Sequence, residues 1–134
     1  MPFAVSSVSN VLIDMFGISA ATRLAVGRCL KKLAMDYGLR TMDSKILLDG
    51  SLYAPKTYEN QETIIKGDEK IPIIAVASII AKVKRDRAMV RLHKKFPQYG
   101  FAVHKGYGTK FHQKAIKTHG LCSIHRRSFC RKFL

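Results

Sequence analysis

Beyond Asp86 the sequence contains no aspartate or glutamate. All nine acids lie at or before that position, and the 48 residues from Arg87 to Leu134 carry twelve Lys or Arg. A solvated surface ordinarily mixes both signs. A one-sign segment of this length points to a polyanionic partner, bound with release of counterions from phosphates; the plain alternative is a basic surface serving solubility. Other absences narrow the class further. There is no tryptophan. No apolar run reaches the ~18 residues of a membrane-spanning helix. No Lys or Arg precedes an apolar N-terminal stretch, as a secretory leader would require. An anionic membrane surface suits the chain less well, because its aromatics are spread out rather than gathered on one helical face. A cytoplasmic protein is the expectation.

Cysteine is scarce and odd in number: Cys29, Cys122 and Cys130, with no CxxC pair. That excludes a disulfide scaffold and fits free thiols in a reducing compartment. Cys29 sits in an apolar helical pattern and reads as a small core residue. Cys122 and Cys130 lie near His119 and His125, but their spacing lacks the paired knuckle of structural zinc sites.

What is present is enough for one modest core: 47% of the 134 residues are hydrophobic, under a formal charge of +15. Phe3–Ser7 alternates as a short strand would. Ser9 suits the cap of a helical turn through Asp14 and Met15, interrupted by Gly17. Ser19 can cap a longer helix from Ala20 to about Tyr37, closed by Gly38. Lys45–Gly50 is a short apolar run ending in an acid and a glycine, the pattern of a buried parallel strand with Asp49 at its C-terminal end, where open α/β sheets place ligands. Thr63–Asp68 repeats that theme, so two strand ends bring Asp49 and Asp68 together, or each simply caps a turn. Pro72 opens a long helix that ends before Pro97. Ile74, Ala77, Ser78, Ala81 and Val83 give it a small-residue face for close packing, and Lys82, Lys84, Arg85, Arg87 and Arg91 a basic one. Gly100, Gly106 and Gly108 mark a loop, and Thr109 caps a last helix to about His119. His93, His104, His112 and His119 have no evident carboxylate partner and read as surface residues. His125, Arg126 and Arg127 either fold back on the sheet or reach a ligand.

Five segments occur in order and in register: Lys66-Gly67-Asp68, Ala77 through Asp86 (ASIIAKVKRD), Tyr99-Gly100-Phe101, His104 through Thr109 (HKGYGT) and His125 through Phe129 (HRRSF). Together with Leu48-Asp49-Gly50, and with Ile13-Asp14 and Ala21-Thr22 upstream, they resemble bacterial ribonuclease HII. The resemblance spans nearly all of this chain but only about the last two thirds of the family's length. It implies an α/β, ribonuclease H-like fold, a mixed sheet with flanking helices, here lacking its first, central strands. Residues 1–134 would be a single, partial catalytic domain with a basic C-terminal helical part.

The resemblance also implies chemistry. The family hydrolyses the RNA strand of RNA–DNA hybrids, including single ribonucleotides embedded in DNA, with Mn²⁺ or Mg²⁺ held by four acids. By position Asp49 and Asp68 would be two of those catalytic metal ligands. Two-metal hydrolysis activates the attacking water and steadies the leaving oxygen, and hard oxygen ligands suit these ions. Tyr107 would stack on the sugar at the RNA–DNA junction, while Lys105, Ser78, Lys82 and Arg85 would contact phosphates. The family's Asp-Glu strand and its Gly-Arg-Gly element have no counterpart here, and Asp43-Ser44-Lys45 matches a further motif by letter only. The expectation is therefore little or no cleavage by this chain alone. The missing strands would then come from an upstream reading frame or from a second chain. The alternatives are a non-catalytic RNA–DNA-binding module and a small basic RNA-binding protein of the ribosomal kind; the latter gives no reason for acids at strand ends.

Overall fold

The computed structural model describes residues 1–134 as two compact units, Met1–Ile80 and Ala81–Leu134. In the first, residues 1–9 form no strand, contrary to the alternation at Phe3–Ser7. A strand needs a neighbouring edge to satisfy its backbone. Here the Ser7 carbonyl instead accepts from Arg28 Nη1 at 3.2 Å.

Helix α1, Asn10–Phe16, starts where Ser9 Oγ accepts the Leu12 N–H. Gly17, at φ 83°, ends α1 and directly precedes α2, Ile18–Tyr37. Ser19 therefore lies inside α2 rather than capping it; the Ser19 carbonyl accepts from Thr22 Oγ1. Gly38 closes α2 in the left-handed conformation and donates to the Ala34 carbonyl.

Strands β1, Ile46–Asp49, and β2, Gln61–Ile64, pair in parallel, with Ile46 opposite Gln61 and Asp49 opposite Ile64. Parallel neighbours require a crossover. Here it is the irregular segment 50–60, and the side chain of Gln61 fastens it. Gln61 Oε1 accepts the Ala54 N–H at 2.9 Å, and Nε2 donates to the Tyr58 carbonyl at 2.7 Å. Thr63 Oγ1 adds a bond to the Leu52 carbonyl at 2.6 Å. These bonds let the crossover fold inward, so that Ala54 and Tyr58 join Leu48 in a core covered by Val26, Leu30, Ile46 and Leu52. The crossover meets α2 closely at Gly27, where a Cβ would lie 2.8 Å from Pro55 Cγ.

After β2 the chain differs from the expected strand. β2 ends at Ile64, and Lys66 takes a left-handed conformation, φ 55°. That turn starts the short helix α3, Gly67–Lys70, so Asp68 sits in a helical first turn and not at a strand end. Helix α4, Pro72–Lys95, follows as expected. Its small-residue face is not packed as anticipated. Ile74 is buried, whereas Ala77, Ala81 and Val83 are exposed. β1 and β2 form the whole sheet.

The second unit is helical. The region expected as a loop contains a 3₁₀ turn, Pro97–Tyr99, and helix α5, Phe101–His104. Thr109 Oγ1 accepts the His112 N–H to open α6, Lys110–His119, which Gly120 closes. Helix α7, Arg127–Cys130, and a final 3₁₀ turn end the chain. Tyr99, Phe101 and Ala115 form the core, with Met89, Phe96, Cys122 and Ile124 against it.

Candidate functional site

Asp49 and the residue before Asp68 are joined directly. The Gly67 N–H donates to Asp49 Oδ1 at 2.7 Å, from the turn between β2 and α3 to the end of β1. Gly67 makes this approach feasible, since a Cβ there would lie 3.2 Å from the same carboxylate oxygen and 2.9 Å from Ile74 Cδ1. Asp49 is half-buried and Asp68 is exposed. Two carboxylates thus stand at one end of the parallel pair, one held by a backbone amide and the other facing solvent. Of the other expected ligand-binding residues, Ser78 is half-buried and Lys82 exposed, both on α4.

Tyr107 is 57% exposed on the segment between α5 and α6. Arg85 of α4 lies over its ring, Cζ 4.3 Å from the centroid. Arg85 Nη1 donates to the Tyr107 hydroxyl at 2.8 Å and Nη2 to the Lys105 carbonyl at 2.7 Å. Lys105 itself is left-handed, φ 52°, and its ammonium donates to the Ala102 carbonyl. Arg85 and Lys105 are therefore engaged with the loop. Neither forms an ion pair with Asp86, whose Oδ1 is buried without a hydrogen-bond partner. The ion pairs Arg40–Asp43, Lys45–Glu62 and Lys66–Glu69 all lie in the first unit, whereas Asp86 is the one Asp or Glu of the second.

Two histidines correct the sequence reading, and a third joins them. His104 and His112 are buried, not superficial, and His125 packs with them. His104 and His112 stack with centroids 4.2 Å apart, and the rings of Phe101 and Tyr99 enclose the group edge-on. Their hydrogen bonds need no carboxylate, so no acidic partner in the sequence signals their burial. His104 Nε2 donates to the Tyr99 carbonyl at 2.6 Å, and Nδ1 accepts the Gly106 N–H. His112 Nδ1 donates to the Tyr107 carbonyl at 2.9 Å, so Nε2 of the neutral ring is an acceptor. His125 Nε2, 3.1 Å away, supplies the proton, and its Nδ1 accepts the Cys122 N–H at 2.9 Å. The partners fix all three rings as neutral, single tautomers. Burial, the larger effect, and neighbouring imidazoles hold His112 and His125 below the usual imidazole pKa, against the opposing pull of the Tyr107 and Cys122 backbone groups.

The arrangement so far is two acids beside a parallel strand pair, and an aromatic loop anchored on a basic helix. Comparison with known proteins decides its kinship. The Ribonuclease HII profile matches residues 5–132. The chain belongs to the ribonuclease HII family. It is 45% identical over 129 residues to Ribonuclease HII of Endomicrobium trichonymphae, covering 96% of this chain and 59% of that protein. The corresponding protein of Polynucleobacter asymbioticus is 45% identical over 127 residues, 95% of this chain and 63% of its own length. That of Coxiella burnetii is 42% identical over 127 residues, again 95% of this chain and 59% of the relative. The chain thus spans about six tenths of the length of these curated relatives.

For this member of the ribonuclease HII family, the test of a divalent-metal site is the donor set. Asp49 and Asp68 fit in kind, offering the hard oxygens that Mg²⁺ and Mn²⁺ prefer. They fall short in number, because no group of three or more Asp, Glu, His or Cys side chains is placed to hold a metal. The buried histidines do not make up the deficit, since their ring nitrogens are occupied by one another and by backbone groups. No helix is long and apolar enough to cross a membrane.

Proposed function

We propose that this chain contributes to endonucleolytic hydrolysis of the RNA strand in RNA–DNA hybrids, including single ribonucleotides embedded in DNA, in the cytoplasm. The observation that carries this reading is the family match across residues 5–132, which runs through both units and supports treating them as parts of one catalytic domain. Bound Mg²⁺ or Mn²⁺ would supply Lewis-acid activation of water and stabilisation of the leaving oxygen. On this reading Asp49 and Asp68 are two of the ligands. The Gly67 amide restrains Asp49 in one orientation, while Asp68 remains open to solvent. Tyr107, covered by Arg85, offers an exposed ring to a sugar or base, and Lys82, Lys105 and Ser78 belong to the surface that meets the backbone. Phosphate contacts of this kind fix register rather than sequence.

Two carboxylates alone supply few of the oxygen ligands that two divalent cations take. Further acids from outside residues 1–134, on the same or a second polypeptide, complete the site in this proposal, and the isolated chain cleaves little or not at all. A second reading, a non-catalytic module that binds hybrids, is favoured by the absence of a third metal donor. One assay separates the two. A labelled RNA–DNA hybrid is incubated with the chain and Mn²⁺, with and without a polypeptide carrying the Asp-Glu strand of a ribonuclease HII. Cleavage only on addition supports the first reading. Binding with no cleavage in either case supports the second, and failure to bind the hybrid at all removes both.

A further inference from the structure

The segment Lys105–Gly108 is secured one residue at a time by side chains from elsewhere in the second unit. Arg85 Nη2 donates to the Lys105 carbonyl at 2.7 Å. The Gly106 N–H donates to His104 Nδ1 at 3.1 Å. The Tyr107 carbonyl accepts from His112 Nδ1 at 2.9 Å, and the Gly108 carbonyl from Gln113 Nε2 at 2.8 Å. Four successive residues are thus held by α4, α5 and α6. A loop with two glycines is otherwise among the most adaptable of segments, and one tied at every residue is preorganised. The part left outward is the ring of Tyr107, 57% exposed. Even this ring is restrained, because Arg85 bonds its hydroxyl at 2.8 Å and covers it at 4.3 Å.

We propose that Arg85 is a positioning residue that acts on nucleic acid through Tyr107, and not by contacting a phosphate. This rests on the reading above in taking Tyr107 as the group that meets the ligand. Arg85 already directs one terminal nitrogen to the Tyr107 hydroxyl and the other to the Lys105 carbonyl. These two bonds commit one N–H of each terminal nitrogen to the loop, two of the guanidinium's five donors. The planar fork of a guanidinium satisfies two acceptors at a fixed spacing, and a lysine ammonium does not reproduce it. The loop therefore presents an aromatic platform whose orientation is set before the ligand arrives.

The test uses the full chain and a fluorescently labelled DNA duplex containing one ribonucleotide. Affinity is measured by anisotropy over a series of salt concentrations. Arg85→Ala and Arg85→Lys each weaken binding by about tenfold, the scale of losing one aromatic stacking contact. The loss disappears in a Tyr107→Ala background, and the slope of log affinity against log salt stays at the wild-type value. Additive effects of Arg85→Ala and Tyr107→Ala would overturn the proposal, as would a salt slope reduced by about one, the signature of a lost phosphate contact. A second measurement needs no ligand. In the free chain, Arg85→Ala should shift the Tyr107 ring resonances and speed amide exchange at Gly106 and Tyr107, leaving α6 protected. Unchanged resonances and exchange there sink the positioning role. Failure of the wild-type chain to bind the duplex, with the loop loosened as expected, refutes the proposed function and the claim that Arg85 acts on nucleic acid; the structural clamp alone survives.

Discussion

The backbone amide of Gly67 and the carboxylate of Asp49 form a 2.7 Å hydrogen bond that ties the start of α3 to the end of β1. The contact depends on the absence of a side chain at Gly67. In Gly67→Ala the new methyl would press on Ile74 Cδ1 at 2.9 Å and Asp49 Oδ1 at 3.2 Å. Ile74 is 5% exposed and has little room to retreat. We expect a loss of roughly 1–3 kcal/mol, as for overpacking a filled interior, read from the urea midpoint. A midpoint within error of wild type would mean that the contact yields freely.

Asp49→Asn keeps an oxygen able to accept the Gly67 amide and removes the negative charge. The local structure should survive while affinity for a divalent cation falls. Mn²⁺ added to labelled chain should broaden the amide signals of Gly67 and Asp68 in the wild type and much less in the variant. Equal broadening in both would argue against Asp49 as a ligand.

Gln61 has no chemistry to perform, yet it fastens the crossover between the two strands. Gln61→Ala strands the Ala54 N–H in a site 2% exposed and frees the Tyr58 carbonyl. An unsatisfied buried donor costs about 1–3 kcal/mol. Denaturant unfolding should show a loss in that range, with the slope unchanged; a loss below about 0.5 kcal/mol would mean that water reaches the crossover.

The buried histidines make the second unit sensitive to acid. His112 and His125 titrate below the ordinary imidazole value when folded, chiefly through burial. The unfolded chain, with histidine near about 6.5, therefore binds more protons than the folded chain once pH drops through that value. Their contribution to stability is complete above about 6.5. It is lost progressively as pH falls from there toward the folded values. The groups facing the pair are His104, Tyr99 and Cys122, with Phe101. None is an acid that would compensate an added charge. Protonation would also set N–H against N–H at each ring. The thermal midpoint should fall by several degrees between pH 7 and 5, and a flat profile would contradict the neutral assignment.

Much of the fold was legible in local signals. The caps at Ser9, Gly38 and Thr109, the limits set by Pro72 and Pro97, and the apolar run ending at Asp49 each act over a few residues, and all fold as read. One local signal failed, since α2 starts straight after Gly17 and leaves Ser19 inside the helix; the other departures depended mostly on partners distant in sequence. Alternation at Phe3–Ser7 suggested a strand, but no edge pairs with it. The small residues of α4 suggested close packing, but Ala77 and Ala81 are exposed. At the candidate site, Asp49 was placed correctly at the end of β1, whereas the left-handed Lys66 moved Asp68 from a strand end into α3. Sequence gave Tyr107 by motif and Arg85 only as one cation among several, since their pairing spans 22 residues. The histidine cluster leaves little trace in the sequence, because its rings bond to backbone groups and to one another rather than to acids. Two hints were present: His104 and His112 lie eight residues apart around a glycine loop, and both follow aromatic positions closely.

The imidazoles also have a direction. From the Cys122 amide to His125, from His125 to His112, and from His112 to the Tyr107 carbonyl, every donor points the same way. Dipoles aligned in series polarise one another, so each bond strengthens the next. A line of this kind tolerates no reversal at a single station. If one ring moves its proton to the other nitrogen, the second ring must do the same, and the amide and carbonyl at the ends cannot follow. His112 and His125 should accordingly change together or not at all, with joint replacement by apolar rings better tolerated than the loss of either one.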